Sequence, residues 1–428
     1  MSEFPAGART LLVTHEKCAG HHIRHHPEQP RRVQRIEQAV LAAFPAGLVH
    51  VSDAPAAPLE SIRRFHTPAH VAQILDLCAS CEVAAKKPFD VQGKRQKAVR
   101  NIDDDTSVMS QSREAALRAV GGALRCVDAV LRGEVQNAFA CVRPPGHHAT
   151  PGKAMGFCLF NNVAIAALHA RVEHGVKKIA IVDVDVHHGN GTEAGFAADA
   201  DLLYASYHQY GNEFYPETGP ASFKGCGNVI NIPLKRGDGS KHVRAAFENT
   251  ILPALRKFEP ELETPGVLIS LGFDALTADP IGGLQLSSDD YGWMTAQLCA
   301  VAQDGRVVSV LEGGYDLNAI SAAAVEHVRA LIAAAGGAAA PSEAVPKAAP
   351  EAVPKAPDVV WEDHGIDSDD GAERKSDGAR REPDGGLSSG ESWGSGDYPD
   401  SDATTEPTAA AEPPSLDGLS LHPSRKSD

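Results

Sequence analysis

No stretch of this 428-residue chain comes near the roughly 18 consecutive apolar residues that a membrane-spanning helix needs, so no segment is expected to cross a bilayer. Basic charge is also short. The chain has 40 Lys+Arg against 56 Asp+Glu, a net charge of −16, which argues against direct nucleic-acid binding through a basic surface. The acid is unevenly placed. From Pro341 onward 20 acidic residues face 8 basic ones, a net of −12 that leaves −4 for the first 340 residues, a balance suited to a cationic partner or substrate. The eight cysteines are scattered and the chain opens without a charged-then-apolar leader. A reducing compartment, cytoplasm and/or nucleus, is expected rather than secretion. Cys78 and Cys81 form a lone CxxC inside the helical pattern of residues 71–81, where they are expected to share a buried face rather than form a redox or metal pair. Arg374-Lys375 and Arg380-Arg381 are too diluted by acid to read as a nuclear signal. Internal repeats are lacking too.

What the chain does have is alternation. Strand-like runs at 10–13, 138–142, 179–184, 202–206, 229–232, 267–270 and 307–311 are separated by helical patterns such as 113–132, 162–173, 241–258, 289–302 and 319–334. This order predicts the α/β class, a mainly parallel sheet with helices on both faces. One large domain is expected over residues 8–335. Residues 336–428 form an Ala/Pro-rich and then acidic tail, too polar and charged to offset its ordering entropy and so expected to be disordered. It reads either as a docking or phosphorylation segment, with Trp361 and Trp393 as anchors, or as a solubilising extension.

Chemistry gathers where four apolar runs end. The run 179–182 leads into Asp183-Val184-Asp185-Val186-His187-His188-Gly189-Asn190-Gly191. In a strand, positions i, i+2 and i+4 share a face, so Asp183, Asp185 and His187 are expected to point together at the carboxyl edge of the sheet, where open α/β sheets place ligands. Converging carboxylates and an imidazole call for a cation or hydrogen bonds. Arg143-Pro144-Pro145-Gly146-His147-His148 follows the run 138–142, Gly272-Phe273-Asp274 follows 267–270, and Glu312-Gly313-Gly314-Tyr315 follows 307–311.

Together with Gly156-Phe157-Cys158 and Asp279-Pro280, these motifs resemble the zinc-dependent histone deacetylase family, in the forms seen in its class II branch, over roughly residues 8–335 and in the family's order. The resemblance implies the three-layer α/β/α arginase/deacetylase fold, with a mainly parallel sheet of about eight strands. It implies one catalytic zinc on Asp185, His187 and Asp274, and a hydrolase that removes acetyl or longer acyl groups from protein lysine. His147, backed by Asp183, would be chiefly cationic, and His148, backed by Asn190, would act as general base and acid. Tyr315 would donate a hydrogen bond to the oxyanion. Gly156, Phe157, Tyr215, Ile281 and Gly314 would line the substrate tunnel, with Tyr215 where a Phe is more usual. Asp105 would hold the substrate backbone at the rim, as an alternative to an ordinary solvated acidic loop. Asp183, Asp185, His187 and Ser206 would hold a structural potassium, partly through main-chain oxygens. The His-rich stretch His21–His26 would be a loop covering the floor of the site, not a second metal site.

Three rivals are weighed against this reading. An acetylpolyamine amidohydrolase resembles a pattern with an acidic gatekeeper just after the Asp-Pro pair, where this chain has Ile281. A catalytically weak acetyl-lysine reader or corepressor scaffold replaces the catalytic Tyr with His, and Tyr315 is present. Arginase-like chemistry needs Asp-x-His-x-Asp, and Gly189 stands where the last Asp would be.

Overall fold

The computed structural model describes residues 10–87, 98–211, 213–258, 266–302 and 305–336. The acidic tail with Trp361 and Trp393 lies outside the described residues. In chain order the elements are β1 (Thr10–Val13), α1 (Arg31–Ala43), β2 (Leu48–Val51), α2 (Leu59–Arg63), α3 (Pro68–Lys86), β3 (Val99–Asn101), β4 (Ser107–Met109), α4 (Ser112–Leu131), β5 (Asn137–Ala140), α5 (Asn162–His174), β6 (Ile179–Asp183), α6 (Asn190–Phe196), β7 (Leu202–Gln209), β8 (Val229–Leu234), α7 (Ser240–Ala246), α8 (Leu252–Phe258), β9 (Val267–Leu271), α9 (Ser288–Val301), β10 (Val307–Leu311) and α10 (Leu317–Ala334).

Eight strands form one sheet in the order β2-β1-β5-β10-β9-β6-β7-β8, every neighbouring pair parallel. The strand period of two splits the apolar side chains between two cores. Leu11, Val13, Ala138, Ala140, Ile179, Ile181, Val308 and Val310 face the core shared with α3, α4 and α5. Leu12, Phe139, Ala180, Val182, Val267, Ile269, Val307 and Leu311 face the one shared with α1, α7, α8, α9 and α10. Strands buried on both faces read as the continuous apolar runs seen in the sequence. The result is the expected three-layer α/β/α arrangement.

Several expectations change in detail. The short strand β2 and the antiparallel β3–β4 hairpin were not anticipated. The single helix expected over 241–258 is interrupted by a π-helical turn, Phe247–Ile251, between α7 and α8. Pro253 accounts for this: it has no N–H to donate back, and its ring crowds the carbonyl one turn earlier. The strand expected over 179–184 ends at Asp183. Asp185 and His187 therefore sit in the bend after β6 rather than on the strand face. α10 has mean hydropathy 1.2 over 18 residues, long and apolar enough by composition to cross a membrane, but 44% of it is buried inside the protein. Its Ile320, Ala324, Val328 and Leu331 belong to the second core. Cys78 and Cys81 are both buried in α3, and Cys81 Sγ points at the Val108 carbonyl, 3.5 Å away.

Candidate active site

The four motif-bearing strands, β5, β10, β9 and β6, are consecutive neighbours in the sheet. In a parallel sheet this brings their carboxyl ends to one edge, so residues as far apart in sequence as Gly146 and Glu312 meet. Asp185, His187 and Asp274 converge there, all buried, with their donor atoms within 4.8 Å of one another. His187 Nδ1 lies 3.0 Å from Asp185 Oδ1 and 3.1 Å from Asp274 Oδ2. Backbone N–H groups hold both carboxylates: Gly313 donates to Asp185 Oδ2 at 2.9 Å, His187 to Asp185 Oδ1 at 2.8 Å and Val186 to Asp274 Oδ1 at 2.7 Å.

The donor set fits a metal ion. One imidazole and two carboxylates are a borderline divalent-metal set, and three protein ligands leave the remaining coordination open. Burial and the adjacent Asp185 charge push Asp274 above the usual carboxylate range, a repulsion that a cation would relieve. The backbone leaves room for little else. A Cβ on Gly272 would stand 1.9 Å from Asp185 Oδ2, and one on Gly313 would stand 2.1 Å from Asp274 Oδ2.

Beside this triad the two histidines take different partners, the ones the family resemblance implies. His147 Nδ1 is 3.1 Å from Asp183 Oδ2, and His148 Nδ1 is 2.8 Å from Asn190 Oδ1. Burial alone would lower the pKa of His147, but Asp185 and Asp183 outweigh it and raise it to about 10. Burial, then the charges of His147 and His187, push His148 well below its ordinary value. Tyr204 donates to the same Asp183 Oδ2 at 3.0 Å, helping to fix that carboxylate. His188 turns away, to Thr218 and Glu193.

Tyr315 is fixed through its backbone, where its N–H donates to Asp279 Oδ2 at 2.7 Å. The Arg32 guanidinium lies 5.0 Å from its ring centroid and donates to the carbonyls of Gly314 and Glu312. Gly314 has φ +111°, a conformation that favours glycine. Beneath, Glu28 binds both Arg32 and Arg143, all three buried.

The predicted tunnel residues fall into two groups. Gly156 lies against His148, Phe157 meets the Tyr315 ring edge-on at 6.0 Å, and the Tyr215 ring meets His148 at 5.0 Å. A cavity of about 280 Å³ opens beside them, lined by His187, Phe214, Tyr215, Ile281 and Arg236 among others. Gly156, Phe157 and Gly314 do not line it. Asp105 is half-buried; it accepts from its neighbour Thr106 at 3.0 Å, and Thr106 Oγ1 in turn accepts the Phe157 N–H. Ser206 is paired with Asp183 across β6 and β7, and its hydroxyl meets His208 at 2.9 Å. The His21–His26 stretch does not gather into a metal cluster among the described residues. His21 bonds Ser112, and His26 packs edge-on against Phe157 at 4.5 Å.

Two residues escaped the sequence reading. Glu312 is wholly buried, accepts the N–H groups of Gly146 and His147 at 2.6 and 3.1 Å, and takes the Ser270 hydroxyl at 3.1 Å. Burial raises its pKa to about 7. Phe214 stacks on His187, centroids 5.0 Å apart and planes 6° from parallel. Glu312 lay in a quoted motif, but its partners depend on β10 lying beside β5 and β9, and nothing local in the sequence marked Phe214.

A model of the histone deacetylase domain matches residues 26–331. Histone deacetylase clr3 of Schizosaccharomyces pombe is 37% identical over 324 residues, 72% of this chain and 45% of that protein. Histone deacetylase 14, chloroplastic, of Arabidopsis thaliana is 34% identical over 340 residues, 75% of this chain and 76% of that one. The crystal structure of the HDA15 HD domain matches with a TM-score of 0.68 at 34% identity, covering 79% of this chain and 91% of that one. This chain thus spans less than half the length of the S. pombe relative. On the domain match and these relatives, the chain belongs to the histone deacetylase family of amide hydrolases.

Proposed function

We propose that this chain is a zinc-dependent lysine deacetylase acting on acetylated lysine in proteins, histones among them. The observation that carries the reading is the convergence, in a member of this family, of Asp185, His187 and Asp274 beside the differently partnered His147 and His148. Zinc on the three ligands would supply an activated water and polarise the acyl carbonyl. His148, kept neutral, takes the proton from the attacking water and gives it to the departing lysine amine. His147, held cationic by Asp183 and Asp185, stabilises the negative charge that develops beside it. The Tyr315 hydroxyl donates to the oxyanion, from a loop fixed by Asp279 and Arg32. Gly156, Phe157 and Tyr215 flank the lysine stem, with Ile281 and Gly314 at the tunnel's edges and Asp105 accepting substrate backbone N–H groups at the rim. Asp183, Asp185, His187 and Ser206 would hold a structural potassium. We assign residues 8–335 to the catalytic domain and 336–428 to a tail that serves either as a docking segment or as a solubilising extension, in a protein of the cytoplasm or nucleus.

The discriminating experiment compares acetate release from an acetyl-lysine peptide and from an N-acetylated polyamine. The apolar Ile281 offers no charge to a second amine, so the peptide is expected to be the better substrate by at least tenfold in kcat/KM. Turnover confined to the polyamine would replace this reading with the amidohydrolase one.

A further inference from the structure

A second cluster of metal-ligating side chains lies where α4 packs on α5, formed by residues separate from the zinc ligands. Asp128 of α4 points its Oδ1 at two imidazoles of α5, His169 Nε2 at 2.8 Å and His174 Nε2 at 2.7 Å. The two rings are 5.7 Å apart and inclined by 70°, so their nitrogens approach one point from different directions. All three donor atoms lie within 4.8 Å of one another. The side chains are 20%, 12% and 16% exposed for Asp128, His169 and His174, sheltered but reachable by a hydrated ion.

We propose that Asp128, His169 and His174 form a second divalent-metal site, selective for ions that accept imidazole nitrogen, such as zinc, and clasping α4 to α5. Two imidazoles and one carboxylate favour such ions over calcium or magnesium, which take oxygen donors. Tetrahedral coordination at about 2.0–2.1 Å would set the donors roughly 3.3 Å apart, so the cluster opens by about half an ångström, within reach of side-chain torsions. Burial alone would raise the Asp128 pKa, but hydrogen bonds from His169 and His174 pull it down to about 2, leaving the carboxylate charged at neutral pH. The group opposing an ion is Arg132, whose guanidinium is 3.3 Å from Asp128 Oδ2. It is 57% exposed, at the C-cap of α4, and can swing outward. Nearby Glu173 is paired with Arg64, so its charge is compensated.

The test titrates zinc chloride into the full-length chain by calorimetry, with its active-site zinc loaded and excess ion removed. One further ion per chain is expected, with a rise in Tm. His169→Gln with His174→Gln should lose that ion and the rise in Tm while turnover of the acetyl-lysine peptide is unchanged. Asp128→Asn provides an independent loss should the double variant fold poorly by circular dichroism, and Arg132→Ala should tighten binding several-fold. No further ion in the wild type, or undiminished uptake in the folded variants, overturns the proposal. Peptide turnover in the same samples reports on the deacetylase reading separately, because that reading can fail with the second ion present, or stand with it absent.

Discussion

His147 and His148 are adjacent in sequence and equally buried, yet the Asp185 and Asp183 carboxylates outweigh burial to raise the pKa of the first, while burial and the His147 and His187 charges lower that of the second. A carboxylate stands behind the first and an amide oxygen behind the second. Exchange of His148 for Ala removes the proposed proton carrier and leaves Asp185, His187 and Asp274 in place. Turnover is expected to fall about 10²–10⁴-fold, with zinc content by atomic absorption unchanged from the wild type. Unchanged turnover would remove His148 from the mechanism. The partners of these histidines were legible only through the family resemblance, which places Asp183 behind His147 and Asn190 behind His148. Phe214 was not, since a ring stacked flat on His187 follows from how its loop folds back, which no local pattern records. The cavity on the His187, Phe214 and Ile281 side was likewise invisible, because it lies between loops far apart in sequence.

At the scale of elements, glycines just after β9 and β10 leave room for the carboxylates that follow β6 and β9 to come together. Gly272 and Gly313 each leave the space that a carboxylate oxygen fills. Gly272→Ala places a methyl 1.9 Å from the present position of Asp185 Oδ2, so that ligand must move. Loss of metal affinity of about 10–100-fold is expected, the range for disturbed ligand support, read by competition with a chromophoric chelator. Wild-type affinity would show that the ligands tolerate repositioning. The strands themselves were legible as apolar runs, because a parallel strand buried on both faces is apolar throughout. Their ends were less so. The sequence period placed Asp185 and His187 on the strand, whereas β6 stops at Asp183 and the bend after it, tied by the Asp274 and Asp185 carboxylates to backbone N–H groups, delivers the ligands. The π-helical turn before Pro253 follows from that proline, but the helical periodicity on either side concealed it.

For the whole molecule, buried neutral histidines set the acid limit. Burial, aided by the Arg143 charge for His21 and by His70 for His66, holds His21 and His66 down at about 3, and burial alone does the same for His327. Each has its partner as a neutral ring; His327, for example, lies between Thr295 and Ser309 at 2.7 and 2.8 Å. Unfolded, these imidazoles take up protons below about pH 6.5; folded, they do so only near pH 3. Stability is therefore fully present above about pH 6.5 and falls as pH drops toward 3. Thermal melts from pH 7.5 to 4.5 should show a declining Tm, and a flat or rising one would contradict this assignment. The order of the strands in the sheet was the part of the fold least legible in sequence, and it is the order that makes the site. With β5, β10, β9 and β6 as neighbours, four distant motifs become one constellation around a candidate metal site. The most direct measurement of that claim is acetate release from an acetyl-lysine peptide by the full-length chain as purified, after chelation, and after return of one equivalent of zinc. Turnover that disappears on chelation and returns with that single equivalent is the predicted result; turnover indifferent to chelation, or absent with zinc bound, would contradict it.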